Sequence, residues 1–221
     1  RIKRYIELRL AHRNSQAYIK YLRKKGVKIG ENFYISGGTR DKNIDLSRPS
    51  LITIGDNVSI NKNFTLMTHD FVSGVFLFKF KDFLPSSGKV VIGNNVRFGV
   101  NCTVLKGVTI GDNCFIGANS VVSSNIPSNS IASGNPCQVQ CSIETYYKYR
   151  QEASKYEAFI YAQSIIERFK RLPKPADFWE EFPLFVDQSN IDNYPEIPVR
   201  RQLKTSYNEW IKTHKAQFPN F

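Results

Sequence analysis

In the stretch TLMTHDFV, residues 65–72, a histidine stands between a threonine and an aspartate, with apolar residues on either side. An imidazole changes charge near neutrality, with an ordinary pKa of about 6.5, so His69 is suited to take a proton from a nucleophile at physiological pH. The chain has three histidines, and the other two, His12 and His214, lie near its ends. Cys102, Cys114, Cys137 and Cys141 form no C-x-x-C pair and have no histidine near them, so the spacing of zinc ligands is absent and no metal is expected. They read instead as buried, reduced thiols.

The elements that must position His69 are marked by a repeat. From Ile92 an aliphatic or aromatic residue recurs every six positions, at Phe98, Val104, Ile110, Ile116 and Val122. The same spacing runs through Ile54, Ile60 and Leu66, with a fainter trace at Ile29 and Ile35. Four residues after each comes a second inward candidate: Phe33, Val58, Phe64, Val96, Cys102, Val108, Cys114 or Ser120. A period of six is neither the 3.6 of a helix nor the two of a strand. It fits a chain wound in triangular coils, each side pointing one large residue inward before turning a corner. Glycine follows the inward residue in IGEN, IGDN, IGNN, FGVN and IGAN, and Asn recurs near the corners, where a left-handed backbone is least costly for these two residues. Such a stack is a solenoid whose ends need capping.

With 221 residues, 41% hydrophobic and 13% aromatic, the chain is long enough for one domain and a helical appendage. Its apolar runs fall far short of the ~20 residues of a membrane span. The first thirty residues are charged throughout and lack the apolar core of a secretory signal, which predicts a cytoplasmic location. A formal charge of +12 suits a polyanionic partner or solvated helix faces. No recognition motif for nucleic acid accompanies the charge, so none is expected as partner.

Residues 1–26 read as one or two basic amphipathic helices ending at Gly26. Coils are expected over 27–141, with a looped-out corner between Ile35 and Leu51 and a break in register between Leu66 and Val91. That break, a loop over 70–90, carries four Phe after Phe71 together with Lys79 and Lys81. A long loop directly after the central histidine is expected to bind something. Residues 142–221 form an extension: helical over IETYYKYRQEASKYEAFIYAQSIIERFKRL, then broken by prolines, then helical over SYNEWIKTHKAQF. A cap on the final coil is the expected role.

These motifs resemble the hexapeptide-repeat acyltransferases, and the likeness is closest from about Ile54 to Val139, including the GNP segment of VTIGDNCFIGANSVVSSNIPSNSIASGNPCQV. Within the family the THDF segment is similar to the galactoside and xenobiotic O-acetyltransferase branch. The resemblance implies a mainly β fold, a left-handed parallel β-helix with N- and C-terminal helical segments, assembled as a homotrimer. It implies acetyl-coenzyme A as acyl donor, His69 as general base, and a sugar hydroxyl as acceptor, in a bacterial surface polysaccharide or its precursor. An N-acetyltransferase of an amino-sugar nucleotide and a non-catalytic β-helix module are the rival readings.

The resemblance also implies a polar partner for the imidazole from another coil: Asn43, Asp45, Asn61 or Asn63, with Asn43 favoured by its place in the preceding coil. Alternation turns the Asp70 side chain away from His69, which makes Asp70 an acceptor-binding candidate along with Lys79 and Lys81. The pantetheine arm of the donor is expected near Val100, Ala118 and Ser123, and its nucleotide end near Ser124 and Gln138. Arg97 stands where relatives often have Trp, and Gln138 where they often have a cation. Arg150 or Lys148 could restore that charge. Peripheral contact with a membrane or with glycan machinery goes with the basic surface.

Overall fold

Each inward residue of the six-residue period becomes the buried member of a strand only two or three residues long, after which the chain turns a corner. The computed structural model describes residues 2–221, with side chains from Ile6 onward; Arg1, the first residue of the predicted basic segment, lies outside the described residues. The chain forms two compact units, one ending at Tyr146 and the other running from Tyr147 to Phe221.

In the first unit the strands are β1 (Lys28–Ile29), β2 (Tyr34–Ile35), β3 (Asn43–Ile44), β4 (Ile52–Ile54), β5 (Ser59–Ile60), β6 (Thr65–Leu66), β7 (Val90–Ile92), β8 (Val96–Phe98), β9 (Thr103–Val104), β10 (Thr109–Ile110), β11 (Cys114–Ile116), β12 (Val121–Val122), β13 (Ser130–Ser133) and β14 (Gln138–Ser142). They build three sheets, ordered β1-β4-β7-β10, β2-β5-β8-β11-β13-β14 and β3-β6-β9-β12. The chain therefore visits three sheets in rotation, and every pairing between coils is parallel; only β14 turns back, antiparallel to β13. All inward residues expected from the period are buried, and so is the second set from Phe33 to Ser120. Ser120 is tolerated there because its hydroxyl donates to Gly117 O at 2.6 Å and accepts from Gly134 N–H at 3.1 Å.

Corners repeat because one residue type solves them. Asn32, Asn57, Asn95, Asn113 and Asn129 all adopt left-handed backbone, with φ between 53° and 59°. Asn95 donates through Nδ2 to Asn113 Oδ1 at 3.0 Å, and Asn113 to Asn129 at 3.0 Å. A second ladder joins Asn63 to Asn101 and Asn101 to Asn119, at 2.8 and 2.9 Å. The partners are 18 residues apart in a plain coil, 16 apart between Asn113 and Asn129, and 38 apart across the break after Leu66. Glycine is required at Gly99, where a Cβ would lie 2.6 Å from Ala118 N of the next coil.

The first coil is covered by α1 (Ile2–Ala11) and α2 (Ser15–Lys25), whose Ala11, Tyr18, Ile19 and Leu22 join the same core as Val27 and Ile29. Asn14 caps α2 by accepting from Ala17 N–H at 2.8 Å, and Gly26 ends it at φ 106°. The break in register is not the plain loop expected over 70–90. It contains the nine-residue helix α3 (Val72–Phe80), and coiling resumes at Val90.

The second unit carries most of α4 (Ile143–Phe169), single turns of 3₁₀ helix over 175–178, 182–184 and 191–193, then α5 (Val199–Leu203) and α6 (Tyr207–Thr213). It buries a core of its own, in which Ile165 of α4 joins Phe178, Phe182, Phe185 and Val186. The last helix is shorter than the expected SYNEWIKTHKAQF.

The Asn ladder gives a direct test. Asn113→Ala forces a left-handed backbone on alanine, about 1–2 kcal/mol, and removes two ladder bonds, each up to about 1 kcal/mol. Asn113→Gly keeps the backbone and loses the two bonds. Thermal unfolding should therefore rank wild type above Gly above Ala, and equal losses in the two variants would contradict this origin of the corners.

Candidate active site

His69 lies three residues past β6, and its partner comes from the coil before. Because Ile44 of β3 pairs with Leu66 of β6, the residues that follow these two strands share one corner. His69 Nδ1 is 2.6 Å from Asp45 Oδ2 and 3.1 Å from Ser47 Oγ, which stands 22 residues earlier. Nε2 has no hydrogen-bond partner among the described residues. The side chains of His69 and Asp45 are 21% and 14% exposed, so the pair is largely shielded while the ring keeps one edge open. Phe71 meets the ring edge-on, with centroids 5.1 Å apart.

Asp45 is held firmly. Ser47 N–H donates to Oδ1 at 2.9 Å, Thr68 N–H donates to Oδ2 at 3.0 Å, and the Thr68 hydroxyl also donates to Oδ2. Burial raises the carboxyl, but the bonds from Thr68, Ser47 and His69 together outweigh it and hold Asp45 well below the usual carboxylate range. An ionised carboxylate only accepts, so the proton in the 2.6 Å contact sits on Nδ1. The neutral ring then carries its lone pair on Nε2.

The expectation that Asn43 orients the ring is corrected here. Asn43 sits in β3 opposite Thr65, and its N–H bonds to Phe64 O at 2.8 Å, while the ring bonds to Asp45 and Ser47. Asn61 and Asn63 serve corners: Asn61 Oδ1 accepts from Lys62 N–H, and Asn63 bonds to Asn101. Ser47 and Thr68 were not singled out in the sequence. The signal for them was the coil register: once Ile44 is aligned with Leu66, Asp45 and Ser47 fall beside Met67 and His69.

Asp70 bonds to groups of the insertion and the next coil. It pairs with Lys106 Nζ at 2.9 Å, accepts from Val72 N–H at 3.1 Å and from the Ser86 hydroxyl at 3.1 Å. The Lys106 ammonium, with those two donors, holds the Asp70 carboxyl below its ordinary range. Lys106 also bonds Ser86 Oγ, His69 forms an antiparallel bridge with Ser87, and Gly88 N–H reaches Thr68 O at 2.9 Å. The base of the insertion is thus tied down beside the histidine. Lys79 and Lys81 are not brought to the ring: Lys79 lies 5.1 Å from the Phe80 ring centroid, and Lys81 Nζ bonds Phe78 O at 3.0 Å.

The residues expected along the donor fall on two faces. Val100 and Ala118 occupy the corner leading into the sheet β3-β6-β9-β12, with Asn119 N–H on Val100 O at 2.9 Å. Ser123 and Ser124 leave the same sheet at its other edge; Ser124 stands two residues past Val122, as Lys106 does past Val104 and Thr68 past Leu66. They therefore share a corner with His69. Arg97 lies instead in β8, between Ser59 and Phe115, and Gln138 in β14 opposite Ser133. Arg150 is engaged by Glu157 through two bonds of 2.6 Å. Cys102, Cys114 and Cys137 are buried, with burial first in raising their thiols, and Cys141 is partly exposed. Among the described residues no cluster of His, Cys, Asp or Glu could hold a metal ion.

Comparison with known proteins follows the coils. The bacterial transferase hexapeptide (six repeats) family matches residues 89–124. Galactoside O-acetyltransferase of Escherichia coli (strain K12) is 37% identical over 119 residues, covering 51% of this chain and 52% of the relative, so the chain spans about half of its length. Protein CapG of Staphylococcus aureus is 40% identical over 126 residues, covering 57% of this chain and 71% of the relative. A solved galactoside acetyltransferase in complex with coenzyme A is 28% identical, covering 65% of this chain and 80% of that one, with a TM-score of 0.45. With 71% of CapG covered at that identity, and a family match on the coils that the strands form, the chain belongs to the bacterial hexapeptide-repeat transferases.

Proposed function

We propose that this protein is an acetyl-coenzyme A dependent O-acetyltransferase that acts on a sugar hydroxyl of a bacterial surface polysaccharide or its precursor. The proposal includes a left-handed sense for the coil, a homotrimer as the working form, and a cytoplasmic location. The observation that carries it is the Asp45–His69 pair, with Nδ1 committed to the carboxylate and Nε2 open. The names of the relatives supply the class of acyl group and acceptor.

On this reading Nε2 accepts the hydroxyl proton as the acceptor oxygen attacks the thioester carbonyl. The carbon–sulfur bond breaks, the ester forms, and the imidazolium returns the proton to the departing sulfur. Asp45 stabilises the imidazolium between the two transfers. The chain offers a fitting bed for the donor: between the Val100–Ala118 edge and the Ser123–Ser124 edge, the outward residues of β6, β9 and β12 are Thr65, Thr103 and Val121, small and uncharged, with Asn43 of β3 next in the row. A slender amide-bearing arm suits such a strip. Gln138 brings no charge for the donor phosphates, and Arg97 is the exposed cation on the neighbouring face. Trimer formation would place a second copy along one flank of the coil and leave the His69 side of the groove accessible to the acceptor.

Three outcomes are expected. His69→Ala should keep the trimer's solution mass and stabilisation by coenzyme A, yet lower acetyl transfer by roughly 10²- to 10⁴-fold; retention of more than about a tenth of the activity would remove the base from the mechanism. Ala118→Trp should abolish thermal stabilisation by coenzyme A while the coils stay folded. Asp45→Asn tests the carboxylate through stability. A depressed pKa stabilises the fold above the ordinary carboxylate value of about 3.9 and loses that contribution as pH falls through the folded value. Wild type should therefore melt above Asp45→Asn at pH 7, with the gap shrinking steadily below about pH 4; a gap independent of pH would show that Asp45 contributes nothing as an anion.

A further inference from the structure

We propose that α3 seats the protein on an anionic lipid surface, so that His69 meets an acceptor saccharide carried at that surface. The second clause rests on the acyltransferase reading above; the first does not.

No residue of α3 is buried. Val75, Leu77, Phe78 and Phe80 are 62%, 44%, 78% and 61% exposed. At about 100° per residue these four point around the whole circumference of the helix. Phe71 before the helix, and Phe83 and Leu84 after it, extend the apolar surface past both ends. Apolar side chains on most sides of a helix, with Lys79 on the remaining one, call for an apolar environment on several sides at once. Lipid provides that, whereas the flat face of a neighbouring coil covers one side only. Nine residues rise about 14 Å, less than half of a ~30 Å hydrocarbon core. The helix can therefore sit in the interface without crossing it, and no helix among the described residues is long and apolar enough to cross.

Charge favours an anionic surface. Lys79 and Lys81 stand at the C-terminal end of α3, and the acid that follows, Asp82, turns its carboxylate to Phe83 N–H at 2.7 Å. The whole chain carries +12. Juxtamembrane lysines are attracted to anionic headgroups. The prong also has a fixed root: Asp70, Ser86 and Lys106 tie together the two ends of the insertion, and Phe71, which opens it, touches the His69 ring. Seating α3 would hold the open edge of the imidazole at the lipid surface.

The test is co-sedimentation of the full chain with vesicles of phosphatidylglycerol and phosphatidylethanolamine, against vesicles of phosphatidylcholine. Binding is expected to the anionic vesicles, weakening with salt. Phe78→Ser with Phe80→Ser should lower it by at least about tenfold at unchanged melting temperature, and Lys79→Glu should lower it several-fold on the anionic vesicles. No binding by the wild type, or wild-type binding by the double variant, would overturn the proposal. So would a double variant whose solution mass falls while the wild type ignores vesicles, since α3 would then cover a second copy. Stabilisation by coenzyme A, measured without vesicles, separates the two claims: its absence would sink the acyltransferase reading and leave lipid docking standing.

Discussion

Parallel coils bond only to the coil before and the coil after, and this constraint governs the rest of the molecule. From β1 to β12 each strand is two or three residues long, too short to hold register alone, so the register is held by the corners. Every insertion must return the chain to the corner it left. The coil step lengthens from 18 residues to 25 at the first coils and to 38 at α3, yet the Asn ladders and inward aliphatics resume in phase each time. An insertion in such a fold is a side excursion with fixed ends.

The candidate site is a consequence of that phase. Asp45 and His69 meet because β3 and β6 pair without slippage, and a one-residue shift would turn every inward residue of the coil outward. The same register places Lys106 beside Thr68, which lets Asp70, Ser86 and Lys106 close the root of the α3 insertion next to the ring. Backbone pairing, carboxylate anchoring and ring tautomer form one chain of causes. The Thr68 and Ser47 donors fix Asp45 as an anion, the anion fixes the proton on Nδ1, and Nε2 is left as the basic nitrogen.

Much of this was legible in the sequence because a six-residue period with Gly and Asn at corners leaves little choice of fold. The buried positions of the coils follow from it, down to Cys102, Cys114 and Ser120. What the period could not supply was alignment across its own breaks. SGGTRDKNIDLSRPS hides Ile44, the buried residue that sets the phase of its coil, so the sequence favours Asn43 over Asp45 as the ring partner. VSGVFLFKF spreads its Val, Leu and Phe over most sides of a helix, so it carries no clear helical periodicity, and α3 reads as loop. The extension after Tyr146 was readable as helices, but its separate core around Phe178, Phe182 and Phe185 comes from irregular, proline-broken turns that have no repeat to read.

The central claim is that the Asp45 carboxylate keeps the His69 proton on Nδ1 and leaves Nε2 as the base. Nitrogen-15 NMR of the ring-labelled protein reports this directly, since protonated and lone-pair nitrogens of a neutral imidazole resonate far apart. At a pH where His69 is neutral, the account predicts a protonated Nδ1 and an unprotonated Nε2, with the preference lost in Asp45→Asn. A proton on Nε2 in the wild type would contradict it.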